Sequence, residues 1–212
     1  MSGFREYLIP TGYGEAELIE KRSRFIGRVW RVETEEEALD HRKFVREVNG
    51  DANHRVYAYI IRGTGVVRYS DAGEPQGTAG LPVLNVFQKE EVTNVLCVVT
   101  RYFGGTLLGA GGLVRAYGQT AKLALDAAGI SVVRQWREVL LGCTYAQYER
   151  LSKIAPEQGA VIEDTDFGAD VTMTLLVAES EADAFCAHMT EVSAGTAVLE
   201  SLGQREVAVK LK

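Results

Sequence analysis

The chain has 212 residues, of which 46% are hydrophobic and 25% charged, and its formal net charge is −6. This composition excludes a disordered chain, because a disordered chain is poorer in apolar residues. No apolar run is long enough to span a bilayer and the N-terminus has no secretory leader pattern, so we expect a cytoplasmic protein without membrane association.

The cysteine and histidine patterns predict neither a disulfide framework nor a metal centre. The three cysteines, Cys97, Cys143 and Cys186, lie far apart and form no CxxC pair. No histidine, cysteine and aspartate set has metal-ligand spacing, and no nucleophile motif of a hydrolase is present. We therefore predict no metal, no cofactor and no catalytic residue.

The charges are distributed unevenly along the chain. Residues 1–137 contain 18 lysines and arginines and 16 acidic residues, whereas residues 138–212 contain 5 and 13. A polyanion should therefore meet the first part rather than the second. We place a domain boundary between these parts, giving domains 1–137 and 138–212, although no proline- or serine-rich linker marks it.

The first domain is predicted to mix strands and helices. Two extended segments flank a basic patch at Lys21, Arg22 and Arg24. A helix follows, for which Thr34 and Glu37 form a capping box. A β-hairpin, a short helix near residues 81–90, and the continuous apolar strand NVLCVVT come next. An amphipathic helix then ends at Gly129.

The second domain is predicted to have the order strand, helix, strand, strand, helix, strand. Its helices are expected near residues 147–158 and 181–192, with a turn at Gly168 between the middle strands. This βαββαβ order is typical of the ferredoxin-like fold, in which two helices cover one face of an antiparallel sheet. The whole chain is therefore an α+β protein of two domains.

A glycine-rich segment after the buried strand is the first candidate site. A strand, a glycine-rich loop and a helix start together present free backbone N–H groups to an anion. The alternative is that the glycines only permit tight turns and close packing, and the flanking arginines favour anion binding. The residues concerned are Arg101, Gly104, Gly105, Gly109, Gly111, Gly112 and Arg115.

The loop SDAGEPQGTAG is the second candidate site. Asp71 and Glu74 are suited either to Mg²⁺ or acid–base chemistry, or to capping helices and fixing turns. Thr78 is a candidate N-cap for the following helix. His54, which precedes a β-rich run, is the histidine most suited to a polar site.

Four blocks of this sequence resemble the YigZ/IMPACT family: KRSRFIG, DANH, YSDAGEPQGTAGLPVL and VVTRYFGGTLLGAGGLVRAYG. The resemblance implies an N-terminal domain with the fold of the second domain of a small-subunit ribosomal protein. It implies a C-terminal domain similar to a domain of elongation factor G, and a link to translational control. Ala72 replaces an aspartate that is frequent in the family, which weakens a two-carboxylate metal site. Leu81 replaces a frequent lysine, which removes one candidate phosphate contact.

We expect a non-enzymatic binding protein that engages RNA or a ribosome-associated partner. The expected contacts are Lys21, Arg22, Arg24, His54, Arg101 and Arg115, with the glycine-rich backbone against phosphates. Two alternatives remain open at this point: an enzyme acting on a small phosphorylated substrate, and a regulator that binds proteins alone. The sequence does not define the oligomeric state.

Overall fold

The computed structural model describes residues 4–211. The chain forms two compact units. The N-terminal unit comprises residues 7–132 and 208–211, and the C-terminal unit comprises residues 4–6 and 133–207. Within residues 4–211, none of the helices is long and apolar enough to cross a bilayer.

Residues 4–211 contain ten strands and five helices. The strands are β1 (Tyr7–Pro10), β2 (Gly14–Glu20), β3 (Ser23–Arg31), β4 (His54–Ile61), β5 (Val66–Ser70), β6 (Val95–Tyr102), β7 (Ile130–Cys143), β8 (Val161–Phe167), β9 (Val171–Ala178) and β10 (Val198–Lys210). The helices are α1 (Glu35–Val48), α2 (Gly80–Lys89), α3 (Ala110–Ala128), α4 (Tyr145–Glu157) and α5 (Ala182–Val192).

The N-terminal unit is built on a sheet with the strand order β2-β3-β6-β4-β5. All of its pairings are antiparallel. Side chains alternate between the two faces of a strand, so both faces of the central strand β6 carry apolar residues. On one face Val99 packs with residues of α2 and α3, and on the other Val98 packs with residues of α1. The prediction that this strand is buried on both faces is confirmed.

Helix α1 begins as the sequence predicts, with one difference in the cap. The Thr34 hydroxyl accepts a hydrogen bond from the Glu37 backbone N–H at 3.2 Å, which satisfies one of the free amides of the first turn. The Glu37 carboxylate accepts from the backbone N–H of Glu33 rather than of Thr34. The helix therefore has the predicted hydroxyl cap, whereas the Glu37 carboxylate binds the backbone of Glu33, the residue before the cap.

The C-terminal unit has the predicted ferredoxin-like arrangement. Its sheet has the strand order β7-β9-β8, with β10 also paired with β7, and β9 is antiparallel to both of its neighbours. Leu151 of α4 and Met189 of α5 are buried in one core with Leu141 and Met173 of the sheet. Two helices thus cover one face of the sheet, which is the βαββαβ plan that the sequence predicts.

Candidate functional site

Three of the family-like sequence blocks meet at one end of the N-terminal sheet. Strand β3 begins at Ser23, β4 begins at His54, and β6 ends at Tyr102. Because β6 is antiparallel to both neighbours, these three strand ends lie at the same end of the sheet. Arg101 is aligned with Phe25 on one side and with His54 on the other. The loop between β5 and α2 contacts this end of the sheet through Ala72, whose carbonyl oxygen is 3.0 Å from Nδ1 of His54.

Arg101 is buried at this end of the sheet rather than exposed to solvent. Its side chain is 6% exposed and that of Glu74 is 3% exposed, and Nη1 of Arg101 lies 2.6 Å from Oε1 of Glu74. Nη2 donates to the Ser23 hydroxyl at 3.3 Å. A buried guanidinium needs such an ion pair, because desolvation of an isolated charge is costly. Two of the three guanidinium nitrogens of Arg101 are therefore already paired within the fold.

Glu74 also binds helix α3, which packs against this end of the sheet. Its Oε1 atom accepts from the Tyr117 hydroxyl of α3 at 2.7 Å. Burial raises the pKa of Tyr117, and the hydrogen bond to Glu74 raises it further, so the phenol stays protonated and acts as a donor. The ring of Tyr117 packs edge-on against Phe25, with the ring centroids 5.2 Å apart. Glu74 thus joins its own loop, β6 and α3.

His54, which is half-buried, completes this cluster. Its Nδ1 atom faces the Ala72 carbonyl, which can only accept, so Nδ1 carries a proton. Its Nε2 atom is 3.8 Å from Oε1 of Glu74. Of the predicted polar residues, the structure therefore brings together His54, Glu74 and Arg101.

Asp71 caps helix α2, a role that the sequence analysis gave to Thr78. The Asp71 carboxylate accepts from the backbone N–H groups of Gly77, Ala79 and Gly80 at 2.8, 3.1 and 2.8 Å. The Thr78 hydroxyl instead donates to the carbonyl of Pro75 at 2.6 Å. The Thr78 prediction was wrong because the loop turns back over the helix start, and a residue nine positions before Gly80 reaches its amides. The two carboxylates of this loop are both engaged within the protein.

Replacement of Asp71 by alanine is expected to destabilise the N-terminal unit by about 2 kcal/mol at neutral pH, because three amides lose their acceptor. Burial raises the pKa of Asp71, but the three N–H groups outweigh it and hold the pKa below its ordinary value. A lowered pKa stabilises the fold above the unfolded-state pKa and this contribution is lost as pH falls. Urea unfolding should show the difference between wild type and Asp71→Ala shrinking below about pH 4. A difference that is constant with pH would contradict this role.

Arg24 lies on the opposite face of the sheet from Arg101. Arg24 is paired with Tyr102 and is adjacent to Phe25, the partner of Arg101, so alternation along the strands separates the two arginines. Arg24 is exposed and forms an ion pair with Glu17 at 2.7 Å. The expected single surface of Arg24, Arg101 and Arg115 is therefore not formed.

Lys21 and Arg22 form the tip of the β2–β3 hairpin at the same end of the sheet. Both are exposed, and both have positive φ, 45° and 68°, which is the conformation of a two-residue hairpin turn. The glycine-rich loop runs directly against this tip, since a Cβ added to Gly104 would lie 2.0 Å from the carbonyl carbon of Arg22. Gly104 therefore permits a close backbone approach.

Replacement of Gly104 by alanine is expected to destabilise the N-terminal unit by about 3 kcal/mol, since the new methyl group meets backbone that cannot rotate away. Gly111→Ala is the matched control. It lies in the first turn of α3, and its nearest neighbour would be Nη1 of Arg115 at 3.6 Å, so we expect no loss of stability there. Thermal unfolding of both variants measures the difference, and equal stability of the two would refute the close approach.

The backbone at the start of α3 retains the features of an anion site. Gly109 precedes the helix with a φ of 73°, and no side chain caps the first turn. The amides of Ala110, Gly111 and Gly112 lie before the first intrahelical bond, which Leu113 donates to the Gly109 carbonyl. Arg115 is exposed one turn further along. Gly105 lies in the loop that leads from the hairpin tip to this helix start.

A basic groove that the sequence analysis missed lies on the α1 face of the sheet. It has a volume of about 500 Å³ and is bounded by the second half of α1 and by β4. None of the described residues that line it is acidic. The lining residues that carry charge are Arg42, Lys43, Arg46 and Arg55.

Two of these cations are held in place by neighbouring groups. Arg55 donates through Nε and Nη2 to the carbonyl of Asn49 at 2.9 and 2.7 Å, at the C-terminus of α1. Arg42 stacks on Tyr57, with its guanidinium carbon 3.5 Å from the ring centroid. Stacking occupies the flat face of the guanidinium and leaves N–H donors at its edge available. These two arginines are thus oriented before any ligand arrives.

Helix stability explains only part of the positive charge on α1, since Lys43 is spaced four residues from Glu47 but Arg42 lies outside the last turn. Cations favour the last turn of a helix, and Arg46 alone lies in that turn. Arg42 and Arg46 are four residues apart, a spacing at which like charges repel. The pattern HRKFVRE carries this signal in the sequence, but its convergence with Arg55 depends on the packing of α1 beside β4.

Comparison with known proteins connects this geometry to a family. Residues 21–125 match the model of the Impact N-terminal domain, and residues 141–196 match a domain of unknown function, DUF1949. The chain is 34% identical over 190 residues to the IMPACT family member YvyE of Bacillus subtilis, covering 89% of this chain and 88% of that protein. The chain belongs to the IMPACT family. The four resemblance blocks named above all lie within the matched N-terminal domain.

Further similarities extend over most of the chain. An IMPACT family member of Haemophilus influenzae is 32% identical over 200 residues, which cover 93% of this chain and 97% of the relative. A solved structure described as that of a hypothetical protein matches with a TM-score of 0.59 and 30% identity, covering 94% of this chain and 98% of the other. Both domains of this IMPACT protein are therefore shared with its relatives.

Proposed function

We propose that this IMPACT protein is a non-enzymatic RNA-binding protein, whose RNA site is the basic groove beside α1. The observation that carries the proposal is the convergence of four cations in a groove without an acidic residue among its described lining. Most contacts between proteins and nucleic acids go to the phosphate backbone, and arginine and lysine supply them. The link of the resembling family to translational control favours RNA over DNA as the ligand.

The position of the groove explains how an acidic protein binds a polyanion. The net charge of −6 repels nucleic acid at long range, whereas the groove concentrates positive charge locally. The hairpin tip with Lys21 and Arg22 lies at the same end of the sheet as Asn53, which lines the groove. Phe103 connects the two regions, because its backbone N–H donates to Asn53, which lines the groove, and Gly104 follows it against the tip. We propose that Lys21 and Arg22 extend the phosphate contacts.

The test is a titration of the full chain with fluorescently labelled single-stranded and hairpin RNA at two salt concentrations. Six phosphate contacts, four in the groove and two at the hairpin tip, predict a slope of log affinity against log salt of about −4, so affinity should fall about 300-fold between 50 and 200 mM salt. Absence of binding to either RNA at 50 mM salt would refute the proposal. Capture of an acidic protein in place of RNA after nuclease treatment would favour the protein-binding alternative.

A further inference from the structure

A second groove lies at the start of α3, among residues of the sheet face opposite the basic groove. Its volume is about 430 Å³, which is within the range of sites that enclose small molecules. His54 and the Arg101–Glu74 ion pair supply its polar lining. We call it the α3 groove.

One wall of the α3 groove is apolar and open to solvent. Phe103, Leu107, Leu108 and Leu113 line it. Phe103 is 45% exposed and Leu107 is 82% exposed, although both are large apolar residues. Apolar side chains that are clustered and exposed beside polar groups are typical of ligand sites. The wall therefore fits the apolar body of a ligand.

The part of the α3 groove that is formed by the helix start attracts negative charge. Gly109 and Ala110 line it, at the point where α3 begins without a side-chain cap. The first amides of a helix carry a partial positive charge and have no intrahelical acceptor. A carboxylate or phosphate oxygen would supply the acceptor that no side chain provides.

Arg101 provides an independent indication of a ligand. It lines the groove, it is 5% exposed, and its Nε atom is buried without a hydrogen-bond partner among the described residues. Buried donors are normally satisfied, so an unsatisfied guanidinium nitrogen beside a cavity points to an absent acceptor. Its Nη1 and Nη2 atoms are already held by Glu74 and Ser23, which fixes the guanidinium in place.

We propose that the α3 groove binds a small organic anion. Its carboxylate or phosphate lies at the N-terminus of α3, and its apolar body packs on Phe103, Leu107 and Leu108. We infer the apolar body of the ligand from the exposed apolar wall, and we infer its anionic group from the uncapped start of α3. This site goes beyond RNA binding, because it uses none of the four cations of the basic groove and shares only Asn53 with the described lining of that groove.

The experiment is an NMR titration of the ¹⁵N-labelled full chain with phenyl phosphate and, separately, with 3-phenylpropionate. Inorganic phosphate and benzyl alcohol are the controls that carry one half of the proposed chemistry each. We expect the aromatic anions to shift the amides of residues 110–112 and to bind about tenfold more tightly than either control. The aromatic anion with the higher affinity identifies the head group as phosphate or carboxylate.

A matched pair of variants locates the binding. Ala110→Phe places a ring in the groove and is expected to weaken binding of the aromatic anions about tenfold. Gln119→Phe adds the same ring at an exposed position further along α3 and should leave binding unchanged. The proposal is overturned if no amide of residues 110–112 shifts, if benzyl alcohol binds as tightly as the anions, or if the two variants behave alike. RNA affinity measured in parallel separates these outcomes from failure of the basic groove.

Discussion

Replacement of Arg101 by methionine is expected to lower the free energy of unfolding of the N-terminal unit by about 3–5 kcal/mol. The change leaves the Glu74 carboxylate buried without its cation, and it removes the donor that reaches Ser23. A Trp136→Phe background allows fluorescence to follow this unit, because the chain has two tryptophans and Trp30 lies in the N-terminal unit. Urea unfolding of the two proteins measures the loss.

A double-mutant cycle separates the ion pair from general packing. Glu74→Gln alone leaves Arg101 without its counter-charge and should cost a similar amount. The combined Arg101→Met and Glu74→Gln variant has neither charge, so it should be more stable than the sum of the two single losses predicts, by several kcal/mol. Additive losses, or a cost of Arg101→Met below about 1 kcal/mol, would show that Arg101 and Glu74 do not act as a buried pair.

Replacement of Lys43 and Arg46 by glutamine is expected to weaken RNA binding about 100-fold at low salt. The reason is that the variant lacks two charge-assisted hydrogen bonds to phosphate, each contributing about 1.5 kcal/mol. Both side chains are exposed on α1, so the fold should not be affected. Fluorescence anisotropy with the same labelled RNA gives the two affinities.

The matched control removes the same two kinds of charge from the other unit. Arg150 and Lys153 of α4 have the same three-residue spacing as Lys43 and Arg46, and both pairs lie on helices. The Arg150→Gln and Lys153→Gln variant has the same net charge as the groove variant. Equal loss of RNA affinity in both variants would show that binding depends on total charge and not on the groove.

Most of the fold was predictable because local patterns and tertiary packing agree. The alternation of strands and the helical spacing of apolar residues predict the elements, and the βαββαβ order predicts the sheet of the C-terminal unit. Helix α1 is the exception in its packing. Ala38 and Val45 are buried as expected, whereas Leu39, Phe44 and Val48 are 48–51% exposed. The spacing of apolar residues alone does not predict how much of the surface of α1 the sheet covers.

The candidate site was less predictable, because it depends on distant residues. The sequence analysis selected His54, Glu74 and Arg101, but their interactions require β4, β6 and the loop before α2 to meet at one edge. Local spacing gave no indication that Arg101 is buried, since its sequence neighbours are equally consistent with an exposed strand end. The basic groove escaped notice for the same reason: Arg55 is distant in sequence from the α1 cations and near them in space.

The most direct test of RNA binding by the basic groove is the salt dependence of affinity in wild type and in the Lys43→Gln, Arg46→Gln variant. Removal of one cation that binds phosphate should reduce the slope of log affinity against log salt by about 0.7 for single-stranded RNA. We expect a slope of about −4 for wild type and about −3 for the variant. An identical slope for the two proteins would contradict the account.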